Sequence, residues 1–247
     1  MYNIPSAVQI AIKLAAAQIQ HIKHKNPVIA LDGHSSSGKS TLARDLAQLL
    51  DITHIDTGAM YRAVALYSIN ETIAIHDTQA IVGSLGDIQI DLRSEDGSQQ
   101  TFLNGQDVSK DIRSMKVSDI VSEVSTISEV RKYLVQQQRE IARSKSVVMD
   151  GRDIGTVVLP DADVKLFVTA SSEERSKRRY LELLNRGVKI ELHEVAENLR
   201  KRDKIDSERA DSPLLQAKDA MLIDTSSLDR PGMLTKAITL IHDKLRN

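Results

Sequence analysis

The segment Val28-Ile-Ala-Leu-Asp-Gly-His-Ser-Ser-Ser-Gly-Lys-Ser-Thr41 decides the fold of this chain of 247 residues. Residues 28–31 form a short, β-branched apolar run, which is typical of a buried strand. Residues 41–50 carry apolar side chains at helical spacing. Between the two lies the spacing Gly33-x-x-x-x-Gly38-Lys39-Ser40, which is the pattern of a phosphate-binding loop (P-loop). Strand, loop and helix in this order predict a site for a nucleoside triphosphate.

The chemistry of this loop depends on backbone and side-chain donors. Its glycines let the backbone turn N–H groups inward at a helix N-terminus, where they bind a polyphosphate. Lys39 is expected to reach the β and γ phosphates, and the Ser40 hydroxyl to ligate Mg²⁺. The predicted nucleotide-binding residues are Gly33, His34, Ser35, Ser36, Ser37, Gly38, Lys39, Ser40 and Thr41.

Composition excludes several other classes of protein. A formal net charge of −1 argues against a general binder of polyanions or membrane surfaces. The chain has no cysteine, which excludes disulfides and thiolate metal sites and fits the cytoplasm. No apolar run approaches the roughly 18 residues that span a bilayer. Aromatic residues make up 3% of the chain, so base-stacking platforms for nucleic acid are not expected. We predict a cytoplasmic protein without a membrane or nucleic-acid partner.

The N-terminal residues 1–26 are predicted to be an extension ahead of the domain proper, residues 27–247. Asn26-Pro27 closes this extension, which is rich in Ala, Ile and Leu. It is expected to pack on the domain or to be partly disordered. An amphipathic surface helix is the alternative.

Beyond the loop, short apolar runs alternate with helical patterns, which predicts a parallel, doubly wound sheet. Three predicted strands end in Asp32, Asp56 and Asp150. Because ligands of such sheets gather at the carboxyl ends of the strands, these acids should share one edge. Residues 87–92 instead alternate polar and apolar side chains, as does a weaker run around residues 101–105. The turn-rich segment Ser94-Glu-Asp-Gly-Ser98 lies between them, so a small antiparallel insert is predicted. Residues 114–145 show continuous helical spacing.

Arginine is concentrated in the C-terminal half of the chain. Residues 175–179 contain four cations, and residues 200–209 add more at helical spacing. A solvated helix face is the ordinary explanation, and it suffices for Lys189, Lys201 and Lys204. Two phosphate-bearing substrates, however, need several converging cations, and arginine offers a planar bidentate fork. Together with the loop, five arginines favour phosphoryl transfer between nucleotides: Arg62, Arg152, Arg178, Arg202 and Arg209.

Five segments together resemble the bacterial cytidylate (CMP) kinases of the P-loop nucleoside monophosphate kinase superfamily. They are residues 33–41, Asp56-Thr-Gly-Ala-Met-Tyr-Arg62, Asp150-Gly-Arg-Asp-Ile-Gly-Thr-Val-Val158, Ser171-Ser-Glu-Glu-Arg175 and Arg202-Asp-x-x-Asp206-x-x-Arg209. The resemblance covers about residues 27–247 in matching order, and the third segment is specific to that family.

This resemblance implies a fold and an activity. The fold is a P-loop NTPase fold, with a five-stranded parallel sheet flanked by helices. A small antiparallel insert for the nucleoside monophosphate falls at about 87–113, and a helical lid at about 172–188. The implied enzyme transfers the γ-phosphoryl group of ATP to CMP or dCMP, with Mg²⁺ as cofactor. Its expected state is a monomer.

The resemblance also implies roles for individual residues. Cytosine would be recognised by Ser122, Arg131 and Asp153, and the ribose by Arg202 and Asp206. The acceptor phosphate would be held by Arg62, Arg152 and Arg209, with Thr57 beside it. Arg178, with Arg175 or Arg179 as alternatives, would close on the transferring group. The residues implied to be catalytic are Lys39, Arg178, Arg152 and Arg209.

The chain departs from the family pattern at two positions. His34 stands where many relatives have Pro, and a solvent-facing role or a phosphate contact are both open. Thr57 stands where they have Ser and keeps the hydroxyl. Three other functions remain as alternatives: a kinase for UMP or another small acceptor, a non-catalytic nucleotide-binding regulator, and a GTPase-type switch. The sequence lacks the Asn-Lys-x-Asp motif that reads guanine in such switches.

Overall fold

The predicted parallel sheet is present in the computed structural model, which describes residues 16–95, 98–143 and 146–246. Its five strands stand in the order β2-β6-β1-β7-β8, and each neighbouring pair is parallel. The strands are β1 (Ile29–Asp32), β2 (Thr53–Asp56), β6 (Val147–Gly151), β7 (Val164–Thr169) and β8 (Met221–Asp224).

The register of this sheet brings the predicted acids to one edge. Asp32 pairs with Gly151, and Asp56 pairs with Asp150, so the carboxyl ends of β1, β2 and β6 are level. The strand β1 lies at the centre, and its apolar residues Ile29 to Leu31 are fully buried. Apolar packing on both faces of the sheet thus fixes the position of the edge that carries these acids.

Helices flank the sheet. Several begin at a side-chain cap: Asp56 accepts from the Ala59 N–H at 3.1 Å, and Ser171 accepts from the Glu174 N–H at 3.2 Å. The helices are α1 (Ala16–Lys25), α2 (Lys39–Leu50), α3 (Thr57–Asn70), α4 (Thr78–Gly83), α5 (Met115–Val124), α6 (Ser128–Arg143), α7 (Ser172–Asn185), α8 (Leu192–Glu208) and α9 (Arg230–Arg246).

The antiparallel insert predicted from the alternating pattern is also present. Its strands are β3 (Ile90–Glu95), β4 (Ser98–Leu103) and β5 (Gln106–Asp107), followed by a 3₁₀ turn over Asp111–Arg113. The turn predicted between the first two strands includes residues 96 and 97, which lie outside the described residues. The insert shares a hydrophobic cluster with α3, α5 and α6, so its position relative to the sheet is fixed by packing.

The helical stretch predicted over 114–145 is two helices, α5 and α6, because the chain breaks at Ser125 to Ile127. The Ser125 hydroxyl donates to the Ser122 carbonyl, and the Thr126 hydroxyl to the Glu123 carbonyl, each at 2.7 Å. Such local side-chain bonds compete with the helix for its last carbonyls. The spacing of apolar residues in the sequence gives no sign of this competition, so it did not predict the break. Residues 144 and 145 lie outside the described part of the chain.

Residues 16–25 of the predicted N-terminal extension form α1, which packs against the C-terminal helix α9. Ile19 and Ile22 are buried in the core cluster beneath the sheet, and the ring of His21 meets that of His242 edge-on at 5.2 Å. Residues 1–15 lie outside the described residues. Across the described ranges, no helix is long and apolar enough to cross a membrane.

Candidate active site

A cavity of about 480 Å³ opens at the polar edge of the sheet. It is lined by the P-loop, the start of α3, the end of the insert, the α5–α6 region, residues 150–153, the lid helix α7 and the end of α8. Eleven of the lining side chains are Lys or Arg and five are Asp or Glu, so the cavity carries a surplus of positive charge. Such a surplus suits phosphate-bearing ligands.

The P-loop needs its two glycines for different reasons. Gly38, with φ +92°, adopts a left-handed conformation directly before α2. At Gly33, a Cβ atom would lie 2.0 Å from the Val168 carbonyl oxygen, so no other residue fits beside β7. The loop residues that line the cavity are Ser35 to Thr41.

Lys39 is buried at the floor of the cavity. Its Nζ donates to the His34 carbonyl at 3.4 Å. Burial, reinforced by the nearby Arg152 guanidinium, lowers the pKa of Lys39 to about 7. An anionic ligand at this position would favour the charged form of the ammonium group.

Ser40 belongs to a short chain of hydrogen bonds. Its hydroxyl donates to Asp150 Oδ2 at 2.6 Å, while His54 Nε2 lies 2.8 Å from Asp150 Oδ1. A hydroxyl and a carboxylate side by side at the foot of a phosphate loop are the oxygen donors that Mg²⁺ prefers. The residues present therefore fit this ion, which usually keeps several waters and takes one or two protein oxygens.

Asp56 holds two arginines at the end of β2. Its Oδ2 accepts from Arg62 Nη2 at 2.7 Å, and Arg113 Nη2 lies 3.8 Å from the same oxygen. Although burial opposes it, this pairing holds the pKa of Asp56 well below its usual range. The Gln99 side chain on β4 accepts from the Asp56 N–H at 2.8 Å, which connects the insert to β2.

The three predicted cytosine-reading residues lie together. Arg131 donates from Nη2 to Asp153 Oδ2, and both side chains are buried. Ser122 lines the same part of the cavity, one helical turn before the break between α5 and α6. Arg209 approaches from the end of α8, with its Nη2 3.7 Å from Asp153 Oδ1 and its Nη1 donating to Ser125 at 3.3 Å. Burial and the neighbouring Arg131 lower the pKa of Arg209.

Arg152 joins the P-loop to α8. Its Nε donates to Asp206 Oδ2 at 2.7 Å and its Nη2 to the Ser35 hydroxyl at 2.6 Å. Arg202 lies beside this pair, and burial together with Arg152 lowers its pKa to about 10. The Nε atom of Arg202 is buried without a hydrogen-bond partner among the described residues. A ligand acceptor at this point would satisfy it.

Helix α7, the predicted lid, carries three candidate arginines, and their surroundings differ. Arg178 lines the cavity and donates to the side chain and carbonyl of Thr225 at 2.9 and 2.7 Å. Arg179 also lines it and pairs with Glu182 at 2.9 Å. Arg175 is buried away from the cavity, where it pairs with Asp203 at 2.7 Å. The geometry thus supports Arg178 and Arg179 over Arg175 as groups that face a ligand.

The two departures from the family pattern have defined surroundings. His34 does not line the cavity; its Nδ1 lies 3.3 Å from Asp203 Oδ1 on α8. The Thr57 hydroxyl donates to the Asp150 carbonyl at 2.8 Å, so it holds β2 to β6 in the described conformation. Gly33 likewise is not a lining residue. The lining set does contain every other predicted site residue: Ser35, Ser36, Ser37, Gly38, Lys39, Ser40, Thr41, Thr57, Arg62, Ser122, Arg131, Arg152, Asp153, Arg178, Arg202, Asp206 and Arg209.

Sequence reasoning assigned no role to several residues that shape the site. Asp32 Oδ1 accepts from the Ile154 N–H at 2.7 Å and its Oδ2 from the Gly155 N–H at 2.8 Å. These bonds fix the backbone that follows Asp153, and burial raises the pKa of Asp32 to about 6. The position of Asp32 at the end of β1 is the sequence feature that could have indicated this role. Gln99 and Arg113 carry no comparable local signal.

The five-stranded parallel sheet with its flanking helices, the P-loop and the small antiparallel insert are those of a P-loop nucleoside monophosphate kinase fold. The family model described as cytidylate kinase matches residues 29–243. The chain belongs to the cytidylate kinase family.

Curated relatives cover most of the chain. It is 53% identical to the cytidylate kinase of Parabacteroides distasonis, over 83% of this chain and 91% of the relative. It is 52% identical to that of Caldanaerobacter subterraneus subsp. tengcongensis, over 87% of this chain and 94% of the relative. For the cytidylate kinase of Caldicellulosiruptor bescii the identity is 46%, over 89% and 97% respectively.

Proposed function

We propose that this protein transfers the γ-phosphoryl group of ATP to CMP or dCMP, giving ADP and CDP or dCDP. The observation that carries this proposal is the position of the Asp153–Arg131 pair. This buried carboxylate lies in the same cavity as the P-loop lysine, Lys39. A donor site and a base-reading site that share one cavity are what transfer between nucleotides requires.

Base recognition is proposed to rest on Asp153. Its carboxylate can accept a hydrogen bond from the exocyclic amino group of cytosine, which uracil lacks. Arg131 and Ser122 lie beside it and would complete the contacts to the base edge. A buried polar site built for one group rejects analogues without it, because its own polar atoms stay unpaired.

The proposed mechanism is mainly positioning and charge neutralisation. The attacking oxygen of the acceptor phosphate is already anionic, so no strong base is needed. Arg62, Arg152 and Arg209 are proposed to hold that phosphate, while Lys39 and Arg178 neutralise the transferring group. Preorganised cations in a cavity closed to water stabilise the charge of the transition state without reorganisation. Closure of α7 would also exclude water as a competing acceptor.

Ribose binding is proposed for Arg202 and Asp206. Arg152 links Asp206 to the P-loop through the Ser35 hydroxyl, so this proposed ribose contact and the donor loop share one hydrogen-bonded frame. Mg²⁺ bound with ATP would neutralise phosphate charge during transfer. Ser40 and Asp150 are proposed to hold that ion.

We further propose a monomer that works in the cytoplasm and in pyrimidine metabolism. Support for the compartment comes from the composition, which contains no cysteine. Support for the metabolic role comes from the proposed acceptor. Size-exclusion chromatography with light scattering tests the monomer, and a mass near twice 27.4 kDa would contradict it.

A coupled ADP-release assay tests the activity. ATP is held fixed while CMP, dCMP, UMP, AMP and GMP are compared, and chromatography identifies the product. We expect ADP formation that depends on CMP or dCMP, with CDP or dCDP as product. Preferential use of UMP or another acceptor would indicate a different kinase. In a parallel assay with GTP in place of ATP, hydrolysis without an acceptor would indicate a switch. Nucleotide binding without turnover would indicate a regulator.

A further inference from the structure

Four cations that line the cavity have no role in the mechanism above. Arg179 and Arg186 both pair with Glu182, at 2.9 and 2.6 Å. Arg44 lies on the helix that follows the P-loop. Arg113 differs from these three because it comes from the end of the antiparallel insert.

The backbone of Arg113 is firmly anchored. The preceding residue, Ile112, is buried in the cluster that joins the insert to α3. Its N–H donates to the Val108 carbonyl at 3.0 Å. The following residue, Ser114, caps α5 by accepting from the Val117 N–H. The side chain of Arg113 therefore extends from a fixed backbone position in the wall of the cavity.

The side chain of Arg113, in contrast, is loosely held. Its Nη2 is 3.8 Å from Asp56 Oδ2, which is beyond hydrogen-bond distance. Arg62 takes the same oxygen at 2.7 Å, and 42% of the Arg113 side chain is exposed. Arginine–carboxylate pairs are frequently bidentate, and the Arg113–Asp56 pair is not. Arg113 instead has donors to spare, on the side of the cavity where the acceptor phosphate is proposed to bind.

The charge around Arg113 also favours an anion. Burial lowers the pKa of this guanidinium, Asp56 opposes the shift, and Arg62, Arg186 and Arg44 add to it. Three further cations thus lower the pKa of Arg113, while Asp56 raises it. A dianionic phosphate between Arg62 and Arg113 would offset this repulsion.

We propose that Arg113 binds the phosphate of the acceptor nucleotide together with Arg62, so that the insert contributes directly to the acceptor site. This inference rests on the proposed function, because it takes a nucleoside monophosphate as the acceptor. In the absence of that phosphate, Arg62 is hydrogen-bonded to Asp56 and Arg113 lies 3.8 Å from the same carboxylate, so both guanidinium groups are near the proposed phosphate position. Through Arg113 the insert then takes part in recognising the phosphate.

The test compares CMP with cytidine, which lacks the phosphate. Dissociation constants are measured by calorimetry for CMP, and by competition against CMP for cytidine. In Arg113→Gln we expect CMP affinity to fall about 10- to 100-fold, the range of one charge-assisted hydrogen bond or two. Cytidine affinity should stay within about twofold, and the KM for ATP should not change. Arg113→Lys should recover part of the loss.

Arg93→Gln is the matched control, because Arg93 lies on the same insert but stacks over Phe102 instead of lining the cavity. This variant should bind CMP as the wild type does. An equal loss of CMP and cytidine affinity in Arg113→Gln would overturn the proposal, because it would indicate a structural role. Wild-type affinity for CMP would overturn it as well. A raised KM for ATP alone would assign Arg113 to the donor instead.

The wild-type protein separates this proposal from the proposed function. Failure of the wild type to form CDP from CMP and ATP would overturn the function itself. CDP formation by the wild type, together with unchanged CMP affinity in Arg113→Gln, would overturn the role of Arg113 alone.

Discussion

The donor and acceptor halves of the cavity are built from different kinds of group. The donor half is one continuous loop, residues 35–41, whose backbone N–H groups lead into α2. The acceptor half is made of side chains from separate elements, and in the described conformation they pair with one another. Arg62 pairs with Asp56, and Arg152 with Asp206. A polyphosphate can therefore meet a preformed site, whereas an acceptor has to exchange existing ion pairs for its own contacts.

Removing the charge of the donor half should have the largest effect. In Lys39→Ala we expect turnover to fall by about 10²- to 10³-fold, because one preorganised charge in a site closed to water is lost. CMP affinity should change little, since the acceptor pairs remain. Single-turnover kinetics and CMP titration measure the two quantities.

The control for this prediction is Lys204→Ala, since the Lys204 side chain lies on α8 and is 73% exposed. Thermal melting shows whether both variants are folded. Near-normal turnover in folded Lys39→Ala, or a CMP affinity that falls together with turnover, would contradict the division of the cavity into a donor half and an acceptor half.

An intermediate effect is expected from the acceptor half at Asp153. Asp153→Asn offers an amide donor that can serve the carbonyl of uracil, while its oxygen can still face Arg131. We expect lower efficiency with CMP and a CMP-over-UMP preference reduced by about 1–3 kcal/mol, the scale of an unpaired buried polar group. The measurement is the ratio of kcat/KM for CMP and UMP at fixed ATP. Because both values come from one sample, the ratio does not depend on the folded fraction. An unchanged ratio would mean that Asp153 does not read the base.

The smallest effect is expected at Asp32, which joins the two halves. This carboxyl lies on the strand before the P-loop and holds the backbone that follows Asp153. Because its pKa is raised to about 6 in the folded state, its contribution to stability is full below the unfolded value of 3.8. That contribution is lost as the pH rises through 6.

Asp32→Asn lacks this titration. Between about pH 5 and pH 7.5, we expect the unfolding free energy of the wild type to fall by about 1 kcal/mol relative to the variant. Urea unfolding across this range measures the difference. A constant difference between the two proteins would place the pKa of Asp32 near its ordinary value.

The division into donor and acceptor halves also explains which site residues can be predicted from the sequence. The donor loop is contiguous, so spacing alone identifies Lys39 and Ser40, and buried runs with flanking turns identify the strands. The individual roles of the acceptor residues come from the family resemblance, since their partners are distant in the chain. Gln99 bonds to Asp56 across 43 positions, and Asp32 to Ile154 across 122. Such pairings depend on the folded register of the sheet, which no local pattern contains. The break at Ser125 escaped prediction because hydroxyl bonds to the helix end leave apolar spacing unchanged.

The packing of α1 against α9 has a consequence for the order of folding during synthesis. Ile19 and Ile22 leave the ribosome early, yet the cluster that buries them includes Ile238 and Ile241 near the other end of the chain. The central strand β1 likewise needs β6 and β7 on either side. These apolar groups therefore cannot be buried in their native cluster until α9 has been translated. We expect this protein to mature late, after synthesis of α9, and its nascent chains to depend on protection against aggregation until then.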